Sequence, residues 1–163
     1  MKCAAWLPDP AATAALGSRL AASLPEQAAV VFLRGDLGAG KSALARALLQ
    51  ALGATGPIKS PTYTLLERHR LADGEAAHLD LYRIAQAGEL EFLGLQDMLP
   101  ELRLVLVEWP ERGEGALPAP DLAISLAVDG EGRAVVLEGR SPLGEAWLRA
   151  LEASGEAPFS RTS

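Results

Sequence analysis

Two short, nearly unbroken apolar runs stand out along the chain, Ala29-Val30-Val31-Phe32-Leu33 and Leu102-Arg103-Leu104-Val105-Leu106-Val107. Runs of this length, apolar at odd and even positions alike, predict strands buried on both faces. Other stretches alternate. Ala76 to Tyr82 predicts a strand with His78, Asp80 and Tyr82 on one face, and a strand at about 63–70 shows a solvated face through Arg68, His69 and Arg70. Asp73-Gly74 between them is a hairpin turn signal. Residues 121–128 and 133–139 form a second hairpin around Asp129-Gly130-Glu131-Gly132. Helical spacing appears over 8–23, opened by Asp9 with Pro10 in the first turn and stopped by Pro25. It appears again over 43–52 in strong helix formers, and from Ser141-Pro142 to about 153. Gly88 to Leu99 reads as short helical turns. The pattern predicts one domain over 1–153, no repeat, and a loose tail over 154–163.

The first apolar strand runs straight into Gly35-Asp36-Leu37-Gly38-Ala39-Gly40-Lys41-Ser42, and a helix follows at once. Strand, GxxxxGK[ST] loop and helix together predict a phosphate site. Glycines let the backbone curl round an anion, and the free N–H groups of the helix start face it with the helix dipole behind them. Lys41 is placed to reach β- and γ-phosphates, and the Ser42 hydroxyl to take one position on Mg²⁺. The chain has 16 Gly but only three Lys, at 2, 41 and 59, so a chance match to the whole pattern is improbable on composition.

Such a loop works with an acid at the C-terminal end of a neighbouring strand. Glu108, which closes the second apolar run, fits that rule, and hard Mg²⁺ prefers oxygen. Glu111 reads as a solvated charge. Asp80 reads equally as a polar strand-face residue or a second site acid. The hydroxyls of Ser60 and Thr62 could equally touch a γ-phosphate or hold a turn. His69 and His78 lack companions at zinc spacing, and there is no GxSxG elbow.

Composition narrows the setting. The chain has 163 residues, 49% hydrophobic and 22% charged, as in a soluble globular domain. No run approaches a membrane span. The first residues are too soon broken by Pro8 to read as a secretory signal, and the lone Cys3 forms no internal disulfide, so a cytoplasmic protein is expected. A net charge of −6 argues against gripping nucleic acid through a general basic field.

The segments GDLGAGKS (35–42), KSPTYTL (59–65), HLDLYR (78–83), ELEFLGLQD (89–97) and VEWPERGEGALP (107–118) resemble, in order, those of the TsaE (YjeE) family of tRNA threonylcarbamoyladenosine biosynthesis. The resemblance implies a three-layer α/β/α P-loop sandwich with a mostly parallel central sheet and antiparallel additions. It implies ATP and Mg²⁺ as cofactors, with Ser42 and Glu108 tied to the metal. Asp80 would be required for turnover, Ser60-Pro61-Thr62 would be a switch-like segment, and Trp109 would lie beside the site. The adenine side would be built near Pro10 and Gly132. TsaD–TsaB is the implied partner, with tRNA met through that complex. Three rivals remain. A small-molecule kinase on the same fold usually needs a basic lid, whereas Arg112, Arg133, Arg140 and Arg149 are scattered. A GTP switch usually carries N-K-x-D, and this chain has no Asn. A nucleotide-dependent binding module that hardly turns over is the third.

Overall fold

The computed structural model describes residues 1–59, 61, 64–154 and 160–162. Its strands are β1 (Lys2–Leu7), β2 (Ala29–Arg34), β3 (Leu66–Arg70), β4 (Glu75–Asp80), β5 (Leu104–Glu108), β6 (Leu122–Asp129), β7 (Gly132–Gly139) and β8 (Ser160–Thr162). The helices are α1 (Pro10–Ala22), α2 (Lys41–Ala51), α3 (Leu95–Met98) and α4 (Pro142–Ala153), with 3₁₀ turns at Ala87–Leu93, Leu99–Glu101 and Pro110–Gly113. All eight strands join one sheet in the order β3-β4-β5-β2-β6-β7-β1-β8. The pairs β4–β5, β5–β2 and β2–β6 are parallel, and the outer pairs are antiparallel. This is the expected α/β sandwich with a parallel centre and antiparallel additions.

Strand parity decides which side chains meet which helix. Val31, Leu33, Leu104, Leu106 and Ala76 face the larger core, shared with Leu16 and Leu20 of α1, Leu44 and Leu48 of α2, and Trp147 and Leu151 of α4. Phe32, Val105, Val107, Ala77 and Leu79 face the other side, covered by Leu90, Leu95 and their short helical turns. The two helix-covered faces are thus unequal: three full helices on one, single turns on the other. His78, Asp80 and Glu108 share the parity of Ala76 and Leu106, so they stand on the side of α2.

Local chemistry sets the helix starts. Asp9 caps α1, its Oδ1 accepting the Ala12 N–H at 2.8 Å, with Pro10 in the first turn. Ser141 does the same for α4 through the Gly144 N–H at 3.0 Å. Asp121 ties α4 to the sheet, its carboxylate accepting from the Val30 N–H and the Ser141 hydroxyl.

Some expectations need correction. No strand is expected at 2–7, yet β1 pairs with β7 from Lys2↔Glu138 to Leu7↔Arg133. Its alanines have little strand propensity, and its stability comes from that partner. The tail expected to be loose from 154 places Ser160–Thr162 on the free edge of β1, where unpaired backbone groups accept a further strand. Tyr82 is not on the β4 strand. The strand ends at Asp80: Leu81 N–H makes the last ladder bond, to the Glu108 carbonyl, and Tyr82 N–H then turns back to Asp80 Oδ1. Strand β3 begins at Leu66, after a turn through Thr64 and Leu65; Tyr63, where the strand is expected to start, lies outside the described residues.

Candidate functional site

The glycine loop joins β2 to α2. Gly35 has φ +146° and no room for a side chain, since a Cβ there would fall 2.3 Å from the Leu126 carbonyl oxygen. Gly40 caps α2 with φ +103°, a left-handed geometry that L side chains rarely adopt. Ala39 N–H closes the turn on the Asp36 carbonyl at 3.1 Å. Asp36, Leu37 and Gly38 are exposed on the outer rim.

Lys41 is buried. Its Nζ donates to the Gly35 carbonyl and, at 2.9 Å, to that of Asp36. It also lies 4.3 Å from the centroid of the Trp109 ring, within cation–π range. Trp109 follows β5 in the left-handed region, at φ 58° and ψ 50°, a backbone state that costs a non-glycine residue of order 1 kcal/mol or more. The turn lays the indole over the ammonium. Burial pulls the Lys41 pKa below that of an ordinary lysine, against the attraction of Glu108 and Asp80.

The acids are placed by register. In the parallel β4–β5 pair, Asp80 stands opposite Glu108 and His78 opposite Leu106. Glu108 is 2% exposed. Its Oε1 accepts the Ser42 hydroxyl at 2.8 Å, and its Oε2 meets His78 Nε2 at 2.7 Å. Asp80 Oδ1 accepts the Tyr82 N–H at 3.1 Å. Burial raises the Asp80 pKa above the usual carboxylate range, opposed by the Tyr82 hydrogen bond and reinforced by the Glu108 charge.

These groups surround a cavity of about 480 Å³, lined by residues 37–43, Asp80, Tyr82, Arg83, Glu108 and Trp109. A second cavity, of about 210 Å³, shares Gly40 and Ala43 with the first and is lined by Leu7, Asp9, Pro10, Thr13, Glu131, Gly132 and Arg133. A Cβ on Gly132 would lie 2.5 Å from the Leu7 carbonyl oxygen. Arg133 joins the two sides by donating to the Gly38 carbonyl at 3.2 Å.

The structure therefore brings Lys41, Ser42, Asp80 and Glu108 to one cavity, and Pro10 and Gly132 to its neighbour. Ser60 and Thr62 lie outside the described residues. Glu111 is exposed. Sequence reasoning assigned no role at the site to His78, Arg83 or Arg133. His78 had a signal, its parity with Asp80; Arg83 stood in HLDLYR with nothing to show where it would point. Arg133 becomes relevant only through the fold.

A strand, a glycine loop and a helix on a parallel-centred sheet, with an acid at the end of the adjacent strand, define a P-loop α/β protein. Over residues 7–135 the chain matches the model of the family described as threonylcarbamoyl adenosine biosynthesis protein TsaE. It is 39% identical over 144 residues to the tRNA threonylcarbamoyladenosine biosynthesis protein TsaE of Haemophilus influenzae, covering 86% of this chain and 91% of that one. It is 40% identical over 116 residues to the Synechocystis protein of the same name, covering 66% of this chain and 69% of that one. The crystal structure of Bacillus subtilis YdiB shares the fold, with a TM-score of 0.79 and 24% identity over 94% of this chain and 96% of that one. The chain belongs to the TsaE family of tRNA threonylcarbamoyladenosine biosynthesis. No helix among the described residues is long and apolar enough to cross a membrane.

Proposed function

We propose that this protein binds ATP with Mg²⁺ and hydrolyses it in support of threonylcarbamoyl transfer to adenosine 37 of tRNAs reading ANN codons, acting with a TsaD–TsaB enzyme pair that carries out the transfer. The observation that carries this reading is the convergence of a buried lysine, a Ser42–Glu108 hydrogen bond and Asp80 on one cavity at the start of α2. The adenine would occupy the adjoining cavity between Pro10 and Gly132. The kinase alternative rests on the fold alone.

The donor set suits Mg²⁺. Ser42, Glu108 and Asp80 offer oxygens, and among the described residues no three His, Cys, Asp or Glu side chains gather into a metal cage. Mg²⁺ is ordinarily held by one or two protein ligands together with substrate phosphates and water. Ser42 would hold it directly, with Glu108 behind the hydroxyl or through water. When bound, the ion neutralises charge on the β- and γ-phosphate oxygens. Lys41 would exchange its loop carbonyls for phosphate oxygens, and its contact would strengthen as charge moves onto the leaving group. Asp80 would orient the attacking water.

Glu108→Gln tests the metal assignment. The amide keeps the shape and loses the charge, so the gain in ATP affinity on adding Mg²⁺ should shrink about tenfold, with metal-free binding little changed. Calorimetric titrations with and without Mg²⁺ check this, and an unchanged metal response would return Glu108 to a purely structural role.

Asp80→Asn should separate binding from turnover. The loop amides and Lys41 grip the β-phosphate, so ATP affinity should stay within about tenfold, or ~1.4 kcal/mol. Hydrolysis should be largely lost, because the carboxylate acts in the transition state. The same variant should melt higher than the parent near neutral pH. A raised carboxyl pKa means the folded state holds its proton more tightly than the unfolded one. Its contribution is fully present below the ordinary Asp pKa and is lost as pH rises through the raised value, leaving a buried carboxylate that Asn removes. The difference in Tm should therefore narrow in acid. Parallel loss of affinity and turnover would instead make Asp80 a support of the site's shape.

A further inference from the structure

We propose that His78 is a positioning residue for the Glu108 carboxylate, holding Oε2 so that Oε1 stays aimed at Ser42, whose hydroxyl would hold Mg²⁺. The inference rests on the ATP·Mg²⁺ reading and adds to it a residue outside the phosphate loop. Glu108 has two carboxylate oxygens, and the loop engages only one, through the Ser42 hydroxyl at 2.8 Å. The other meets His78 Nε2 at 2.7 Å. Both side chains are 3% exposed, so water cannot easily replace the imidazole. Without it, Oε2 would be a buried acceptor with no donor among the described residues, and the carboxylate would be free to rotate away from Ser42.

The rest of the histidine's surroundings point the same way. Its Nδ1 is buried with no hydrogen-bond partner among the described residues. As mere filler at this position an imidazole is poorer than leucine, since its second ring nitrogen is left unsatisfied. Among the described residues, its one side-chain hydrogen bond goes to the carboxylate. Parallel register fixes the reach: His78 sits one pleat before Asp80, and Glu108 one pleat beyond the Leu106 that His78 faces. Outer groups of this kind set ligand orientation, and their loss typically lowers metal affinity about ten- to a hundredfold.

The test compares ATP binding with and without Mg²⁺ in the parent, His78→Leu and His78→Gln. The Gln amide nitrogen can take the place of Nε2; Leu has no donor. The Mg²⁺-dependent gain in affinity should fall about tenfold or more in His78→Leu, with metal-free affinity kept, and return largely in His78→Gln. A His78→Leu protein with the parent's Mg²⁺ response overturns the proposal. A parent with no Mg²⁺ response overturns the ATP·Mg²⁺ reading itself, so the two failures are distinct. A second measurement needs no change at His78. Long-range ¹H–¹⁵N spectra of the parent, with His69→Gln used to assign the two histidines, should show a proton on His78 Nε2 and a shift of that nitrogen when Mg²⁺ is added to the nucleotide-bound protein. A proton on Nδ1 alone, or an Nε2 signal indifferent to Mg²⁺, contradicts it.

Discussion

Replacing Lys41 by Ala should lower ATP turnover by about a hundredfold or more, the scale seen when a preorganised electrostatic stabiliser is removed. Lys41 is 5% exposed, and its ammonium lies between the loop carbonyls and the Trp109 ring. In so dry a site a charge-assisted contact to a phosphate oxygen is worth far more than in water. The fold should survive, because the loop is built by backbone: the Gly35 and Gly40 conformations, the Ala39-to-Asp36 turn, and Leu44 N–H on the Gly40 carbonyl. Burial already disfavours the charged lysine, so Tm should hold or rise. Single-turnover hydrolysis and a thermal melt on one preparation check both halves. Near-normal turnover in a folded Lys41→Ala protein would contradict the site.

Trp147→Ala should have the largest effect on stability, about 3–5 kcal/mol. Trp147 is fully buried in α4, and its indole N–H donates to the Leu20 carbonyl of α1 at 3.1 Å. Truncation leaves a cavity and takes from the Leu20 carbonyl its shorter hydrogen bond, leaving the one from the Ser23 hydroxyl at 3.3 Å. For a chain of this size the loss corresponds to a fall in Tm on the order of 10 °C. Trp147→Phe should cost less, retaining most of the volume. Because α1 carries Pro10 to the second cavity, loosening it should also weaken ATP binding as the melt approaches. A melt within a degree or two of the parent would show that α1 and α4 do not depend on this contact.

The parts of the site that sequence revealed are those whose chemistry is local. The glycine loop, Lys41 and Ser42 lie within eight consecutive residues, and the strand before and helix after them confirm the geometry. Glu108 was legible because an apolar run points to a strand end. The pairing of His78 with Glu108 was not, since it spans thirty residues and depends on the register of two strands. Strand β1 escaped for the same reason: its partner β7 lies more than a hundred residues away. The shortened β4 reflects a competition that alternation alone does not reveal, in which Asp80 Oδ1 captures the Tyr82 N–H and turns the chain. Arg133 reaches the phosphate loop only because β6 and β7 fold back beside it.

On the proposed function, this protein is an ATPase whose site is completed by its partners. Arg83 lines the main cavity from an exposed position. The decisive measurement is steady-state ATP hydrolysis by the purified chain, alone and with purified TsaD–TsaB and tRNA. The proposed function predicts slow turnover alone and a clear rise with the partners, abolished by Lys41→Ala. Full turnover by the isolated chain, unchanged by TsaD–TsaB and tRNA, would contradict it.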